Sequence, residues 1–300
     1  MPSIEVQDDK LIRFLLPAAG VRGVHVRLDQ AWHDITDHSD YPPRAKALLG
    51  QACAAAALFT GHTKVDGRLS IQLRGEHGLR TLFAECTAAG TLRGIVRLED
   101  GQDAPDDLTR LGGQSVLAIT IENPGLDPRE PQRYQSLVSL DVPFLDEAFE
   151  GYFRQSEQLP TRLLLAAGQD HVAGLLLQKL PGDQGDDDGW TRSGALFDTL
   201  AAPELLATPG RELLHRLFHE ENPELLGEKP LGFACSCSRE RVAAMLQSLG
   251  EEEARAAAEP TGAIEVRCEF CGREYHFPLT ELPILFAERP AEAPASERLQ

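Results

Sequence analysis

Two close pairs of cysteines constrain this chain more than any other feature: Cys235 and Cys237 in Phe233-Ala-Cys-Ser-Cys-Ser-Arg-Glu, and Cys268 and Cys271 in Val266-Arg-Cys-Glu-Phe-Cys-Gly. Thirty residues separate the pairs, enough for one or two helices that return the chain to the first pair, so all four sulfurs can converge on one ion. Zinc accepts soft thiolates tetrahedrally at roughly 2.3 Å, and paired short spacings are its usual signature. The Cys-x-x-Cys pair followed by Gly272 reads as a metal knuckle. The Cys-x-Cys pair needs a turn, because i and i+2 of a regular strand point in parallel. The expectation is one zinc per chain on Cys235, Cys237, Cys268 and Cys271.

Residues 231–288 are few for a self-sufficient apolar core, and small domains borrow stability from metals or disulfides. Binding at such a site is worth on the order of 10–16 kcal/mol, and that energy is folding energy. The bland consequence is a staple. The sharper one is a sensor, since oxidising the thiolates to disulfides would expel the metal and loosen the domain. Local chemistry allows this. Ser238 is a candidate N-cap, Val242, Met245, Leu246 and Leu249 follow at helical spacing, and Gly250 stops the helix. Cys237 then lies at a helix N-terminus beside Arg239 and Arg241, where positive charge favours a thiolate.

Other classes are disfavoured. The net charge is −18, and residues 231–288 hold five arginines against ten acidic residues, which opposes a phosphate backbone, so no nucleic-acid partner is expected. No apolar run approaches the roughly 18 residues of a membrane span, and Met1-Pro-Ser-Ile-Glu-Val lacks a signal-like start, so the expectation is a cytoplasmic protein without a membrane partner. Six cysteines there argue for reduced thiols rather than a disulfide framework. His215 and His219 would share a helical face, but position 216 is Arg rather than the Glu of a zinc protease. His276 follows Cys271 closely, yet four thiolates already fill a tetrahedral site and leave no position for water. With no nucleophile elbow, phosphate loop or dinucleotide fingerprint, no enzyme and no catalytic residue are expected.

The rest of the chain reads as α+β: antiparallel sheets packed with helices, then a helical linker and a small zinc-binding domain. Two β-rich runs within residues 11–29 precede an Ala-rich helix from Arg44 to Phe59 with a stripe of Leu48, Leu49, Ala52, Ala56 and Phe59, in which Cys53 is a buried small hydrophobe. The strictly alternating 68–74 opens a three-stranded meander with 81–86 and 91–98, and Cys86 faces the core. Strands follow near 115–121 and 134–140, a helix at 145–157, and strands at 161–167 and 171–178. The acidic, glycine-rich 181–189 is expected to lack order, and 191–229 to form short amphipathic helices whose Leu213, Leu214, Leu217 and Phe218 need a partner surface. The expected domains are 1–180, a linker 181–230, the metal domain 231–288 and a disordered tail 289–300.

Phe233-Ala-Cys-Ser-Cys-Ser-Arg-Glu-Arg, the thirty-residue gap and Cys268-Glu-Phe-Cys-Gly-Arg-Glu-Tyr resemble the redox switch of the heat-shock protein 33 family, bacterial holdase chaperones activated by oxidation. Thr63-Lys-Val-Asp-Gly-Arg-Leu-Ser-Ile-Gln-Leu-Arg-Gly, Tyr152-Phe-Arg-Gln-Ser-Glu-Gln-Leu-Pro-Thr-Arg-Leu and Leu213-Leu-His-Arg-Leu-Phe-His-Glu-Glu are similar to it as well, so the resemblance spans nearly the whole chain. It implies an ATP-independent holdase, latent while reduced and zinc-loaded. On oxidation it would form disulfides Cys235–Cys237 and Cys268–Cys271, release zinc, free the linker from the first domain, dimerise, and bind unfolded client proteins. The competing reading is an acidic adaptor or regulatory protein whose zinc is purely structural.

Overall fold

The first two β-rich runs form Lys10–Leu16 (β1) and Val21–Leu28 (β2), paired antiparallel around a turn in which Gly20 takes φ 61°. This is a computed structural model, and it describes residues 9–125, 127, 130–182, 184–258 and 262–287. The tail expected at 289–300 lies outside the described residues. A short helix, Gln30–Thr36 (α1), buries Trp32 and Ile35 where no element was expected. The Ala-rich segment is a twenty-residue helix, Pro43–His62 (α2), begun by proline at its first turn. It is buried on every side rather than along one stripe, because both large sheets pack against it.

The meander forms as expected from Arg68–Arg74 (β3), Leu79–Thr87 (β4) and Thr91–Leu98 (β5), and continues through Val116–Asn123 (β6) and Gln132–Val138 (β7). The helix expected over 145–157 is α-helical only for Leu145–Tyr152 (α3). Phe153–Glu157 is a π-helical turn that ends at Gln158 in the left-handed region, φ 56°. Thr161–Ala167 (β8) and Val172–Lys179 (β9) follow.

The acidic run is held rather than loose. The backbone N–H of Asp186 donates to the Ala18 carbonyl, and Arg192 binds the carboxylates of Asp186, Asp188 and the buried Glu221. Gly189–Phe197 (α4), Ala202–Ala207 (α5) and Gly210–Phe218 (α6) are the expected short helices. Glu224–Pro230 is instead a strand (β10), and Gly232–Phe233 adds a short one (β11).

By contact the chain divides into Met1–Ala234 and Cys235–Gln300. In the first unit the strand orders are β10-β1-β2-β9-β8 and β11-β5-β4-β3-β6-β7, antiparallel throughout except β11 on β5. Alternation divides the core. Leu11, Val24, Val26, Leu163 and Leu176 of the five-stranded sheet join α2 and the six-stranded sheet in one cluster. On the opposite face Ile12, Phe14, Leu16, Leu175 and Leu177 meet Phe197, Leu205, Leu213, Leu214 and Phe218 of α4–α6. The second unit contains Arg239–Leu249 (α7), Glu251–Ala258 (α8), the hairpin Ala263–Arg267 (β12) with Glu274–Pro278 (β13), and Leu282–Ala287 (α9). Its core is small, built on Val242, Leu246, Ile264, Tyr275, Phe277 and Leu282.

Candidate metal centre

Both cysteine pairs are aimed by turns. Cys235 and Cys237 sit in an irregular stretch between β11 and α7, where the Ser238 hydroxyl accepts from the Arg241 N–H (3.3 Å) and caps the helix as expected. Arg241 also donates from its guanidinium to the Ser236 carbonyl (2.7 Å), which braces the turn between the two sulfurs. Cys268 and Cys271 occupy the link between β12 and β13. There the Gly272 N–H donates to the Cys268 carbonyl (2.8 Å), the Cys268 N–H donates to the Arg273 carbonyl (2.8 Å), and Gly272 takes φ 67°, a conformation that favours glycine.

The four Sγ atoms all lie within 4.8 Å of one another, with Cys235 to Cys268 at 3.6 Å and Cys237 to Cys271 at 3.4 Å. Four sulfurs about 2.3 Å from a tetrahedral ion stand about 3.8 Å apart, so the donors fit a thiophilic metal. Each cysteine is half-buried, which shields the centre while leaving oxidants a path. His276 is not part of the cluster; its ring faces Glu265 (3.5 Å) and Glu274 (3.9 Å). Nor do His215 of α6 and His219, just past its end, gather further ligands among the described residues.

The thiols are not equivalent. Burial pushes Cys235 up to about 12, while Cys237, against the same desolvation, is pulled down to about 7 by the Tyr275 hydroxyl and the neighbouring sulfurs. Helix position and the arginines were expected to favour this thiolate, but both arginines are engaged elsewhere. Arg239 lies 4.2 Å over the Phe277 ring and binds the His276 carbonyl, and Arg241 binds Ser236. Tyr275, whose O–H donates to Cys237 Sγ at 3.1 Å, was missed. The signal was present in the alternation of Tyr275 and Phe277 along β13, which puts Tyr275 on the inward face with the core. Cys53 and Cys86 are buried in the first unit with thiol pKa values raised by desolvation, Cys86 to about 11.

A family model described as Hsp33 protein matches residues 9–278. The chain belongs to the Hsp33 family. Among curated relatives, the 33 kDa chaperonin of Ectopseudomonas mendocina is 43% identical over 293 residues, covering 95% of this chain and 98% of the relative. That of Nitrosococcus oceani is 41% identical over 281 residues, covering 94% and 95%. A crystal structure of the 33 kDa chaperonin of Thermotoga maritima superposes with a TM-score of 0.74 at 21% identity, over 93% of this chain and 98% of that one, and so shares the fold. Membership of Hsp33 makes the protein a chaperone and not an enzyme, with unfolded client proteins as its partners. No described helix is long and apolar enough to cross a membrane.

Proposed function

We propose that this Hsp33 chain is a redox-regulated, ATP-independent holdase of the cytoplasm, whose metal is zinc held by Cys235, Cys237, Cys268 and Cys271. The observation that carries the reading is the convergence of four half-buried sulfurs in the segment that directly follows β10 and β11. When bound, zinc holds the thiolates ionised and fastens the two cysteine turns together. An oxidant such as peroxide takes two electrons from each sulfur pair and is reduced to water. The product disulfides, Cys235–Cys237 and Cys268–Cys271, cannot hold the ion. Cys268–Cys271 closes first, because the ring of a Cys-x-Cys disulfide is tighter.

Coupling to the rest of the chain is covalent. Cys235 is two residues beyond Phe233, and β10 and β11 are edge strands of the two sheets of the first unit. A metal domain that has lost its fold ceases to anchor those strands, and α4–α6, joined to β10, leave the apolar sheet face built on Ile12, Phe14, Leu16 and Leu175. That face and the freed helices then bind unfolded polypeptides, and the oxidised chains associate as homodimers. Nucleic acid is not a partner of this acidic chain.

Light scattering from a heat-denatured client, read together with zinc release, tests the proposal: the reduced protein leaves aggregation unchanged and the peroxide-treated protein suppresses it. Equal activity in both states would favour a structural zinc. Peptide mapping tests the disulfides. Cross-pairs are as close as 3.4 and 3.6 Å in the reduced arrangement, so recovery of Cys235–Cys268 or Cys237–Cys271 would replace the pairing.

A further inference from the structure

One titratable side chain of the first unit takes no part in the metal chemistry and yet lies directly under the docked helices. His25 sits mid-way along β2 on the sheet face that α4–α6 cover. Val24 and Val26, to either side of it, belong to the core shared with α2, while its cross-strand neighbours Ile12 of β1 and Leu175 of β9 belong to the cluster built with the helices. His25 is 1% exposed, and neither ring nitrogen has a hydrogen-bond partner. Gly210, the first residue of α6, closes over the ring so tightly that a Cβ there would stand 2.6 Å from Nδ1 and 2.7 Å from Cε1. The helix therefore begins on the imidazole itself.

The charged groups around the ring give a proton on it no counter-charge. On β2 the next residue of the same face is Arg27, whose guanidinium donates to the Leu206 carbonyl at the end of α5 and to Asp29 (3.0 Å). β1 contributes Lys10, opposite Arg27 in register, and β9 contributes only the apolar Ala173, Leu175 and Leu177. The carboxylates of the neighbouring elements are engaged elsewhere: Glu212 of α6 binds Arg216 (2.5 Å), and Glu228 of β10 binds Arg211 (2.6 Å). His171 places Nε2 2.9 Å from the Leu206 carbonyl, where an imidazolium donates as the neutral ring does, so its protonation does not loosen α5. An imidazolium at position 25, by contrast, would lie beside Arg27 with neither water nor acceptor. Burial, and then Arg27, accordingly lower His25 from 6.5 to about 4. Undocking of α6 uncovers the ring and returns it toward its ordinary value.

Resting on the release of α4–α6 proposed above, we infer that this release is proton-linked: docked α6 keeps His25 neutral, the undocked chain takes one proton from solvent onto this ring, and mild acid adds to oxidation in driving the switch. The step transfers no electrons and breaks no bond of the chain; a solvent proton joins the lone pair of an imidazole nitrogen. Linkage is reciprocal, so undocking raises the affinity for the proton by the factor through which the proton weakens docking. Between pH 7.5 and pH 5.5 the undocked-to-docked ratio rises about tenfold, and undocking at pH 5.5 takes up about 0.9 proton per chain at His25.

The test is an NMR titration of the full chain labelled with carbon-13 at histidine Cε1, reduced and zinc-loaded or peroxide-treated, with zinc content and amide exchange over 210–218 measured on the same samples. The His25 signal is the one missing from His25→Leu; if that variant fails to fold, through-space contacts to the Ile12 methyl groups assign it in the wild-type chain. In the reduced chain the signal should hold its position from pH 7.5 to pH 5.5, and in the oxidised chain it should titrate near 6.5. Opening of 210–218 in the reduced chain, corrected for the pH dependence of the exchange chemistry, should rise about tenfold over that range in wild type and stay level in His25→Leu. Titration of His25 near 6.5 in the reduced chain, or an equal rise in the variant, would overturn the inference. If 210–218 lose protection on oxidation and His25 still stays neutral at pH 5.5, the proton linkage alone is rejected. Protection retained over 210–218 after both disulfides have formed rejects the release on which it rests.

Discussion

Phe218→Ala probes the latch most sharply. Phe218 closes α6, is fully buried, and stacks on Phe14 of β1 with ring centroids 6.0 Å apart. Truncating a buried Phe to Ala costs about 3–5 kcal/mol. The lost contacts exist only while α6 is docked, so the cost falls on the docked state and raises the undocked-to-docked ratio by at least about a hundredfold, at about 1.4 kcal/mol per decade. Amide exchange across 210–218 should accelerate accordingly in the reduced, zinc-loaded protein, and light scattering should reveal partial protection of a heat-denatured client without oxidant. Polar substitution of Leu214 and Leu217 together acts in the same direction, mainly through Leu214, because Leu217 is only partly buried. If exchange accelerates in Phe218→Ala while the reduced protein stays inactive and oxidation activates it normally, release of α6 is not what exposes the client surface.

Acid should loosen the same region. His25, fully buried on β2 against Gly210 of α6 and without a hydrogen-bond partner at either ring nitrogen, is lowered from 6.5 to about 4 by desolvation and then by Arg27, and His62 is lowered to about 3, first by burial. The folded protein keeps both neutral, while the unfolded chain takes up protons below 6.5. Stability therefore falls as pH drops from 6.5 toward 4, by on the order of 3 kcal/mol for His25, and denaturant melts of His25→Leu should show a shallower loss over that window; an identical slope would refute the assignment. Replacing Cys53 or Cys86 with Ser should leave zinc stoichiometry at one per chain, and loss of zinc in either variant would break the four-ligand assignment. Tyr275→Phe removes the hydrogen bond to Cys237, which withdraws electron density from the sulfur. The variant should bind zinc yet release it faster under peroxide in a chromophoric chelator assay, and unchanged kinetics would mean that Tyr275 serves packing alone.

The cysteine turns, the meander and the amphipathic α6 were legible because each is encoded locally, by ligand spacing, by alternation in 68–74, and by Leu213, Leu214 and Phe218 at helical intervals. What escaped depends on partners distant in sequence. Nothing within α2 says that its Gly50, Leu58 and Gly61 lie against Val172, Gly174 and Leu11 of the five-stranded sheet while its Leu49 and Cys53 lie against Gly94 of the six-stranded one. β10 has exposed Leu225 and Leu226 amid charged residues, and it is a strand only because β1 offers an edge. Residues 184–189 look like a loose acidic run until Arg192 collects their carboxylates. Tyr275 acquires its role only when β13 is placed beside the first cysteine pair.

The central claim is that oxidation at four sulfurs loosens helices far along the chain without unfolding the sheets. Hydrogen exchange by mass spectrometry, on reduced zinc-loaded and peroxide-treated protein, measures this directly. The prediction is that oxidation removes protection from 189–230 and from 235–287, while β3–β6, β8, β9 and α2 keep theirs, with reductant and zinc restoring the original pattern. Protection retained in α4–α6 after both disulfides have formed would contradict the account, as would its simultaneous loss across the sheets.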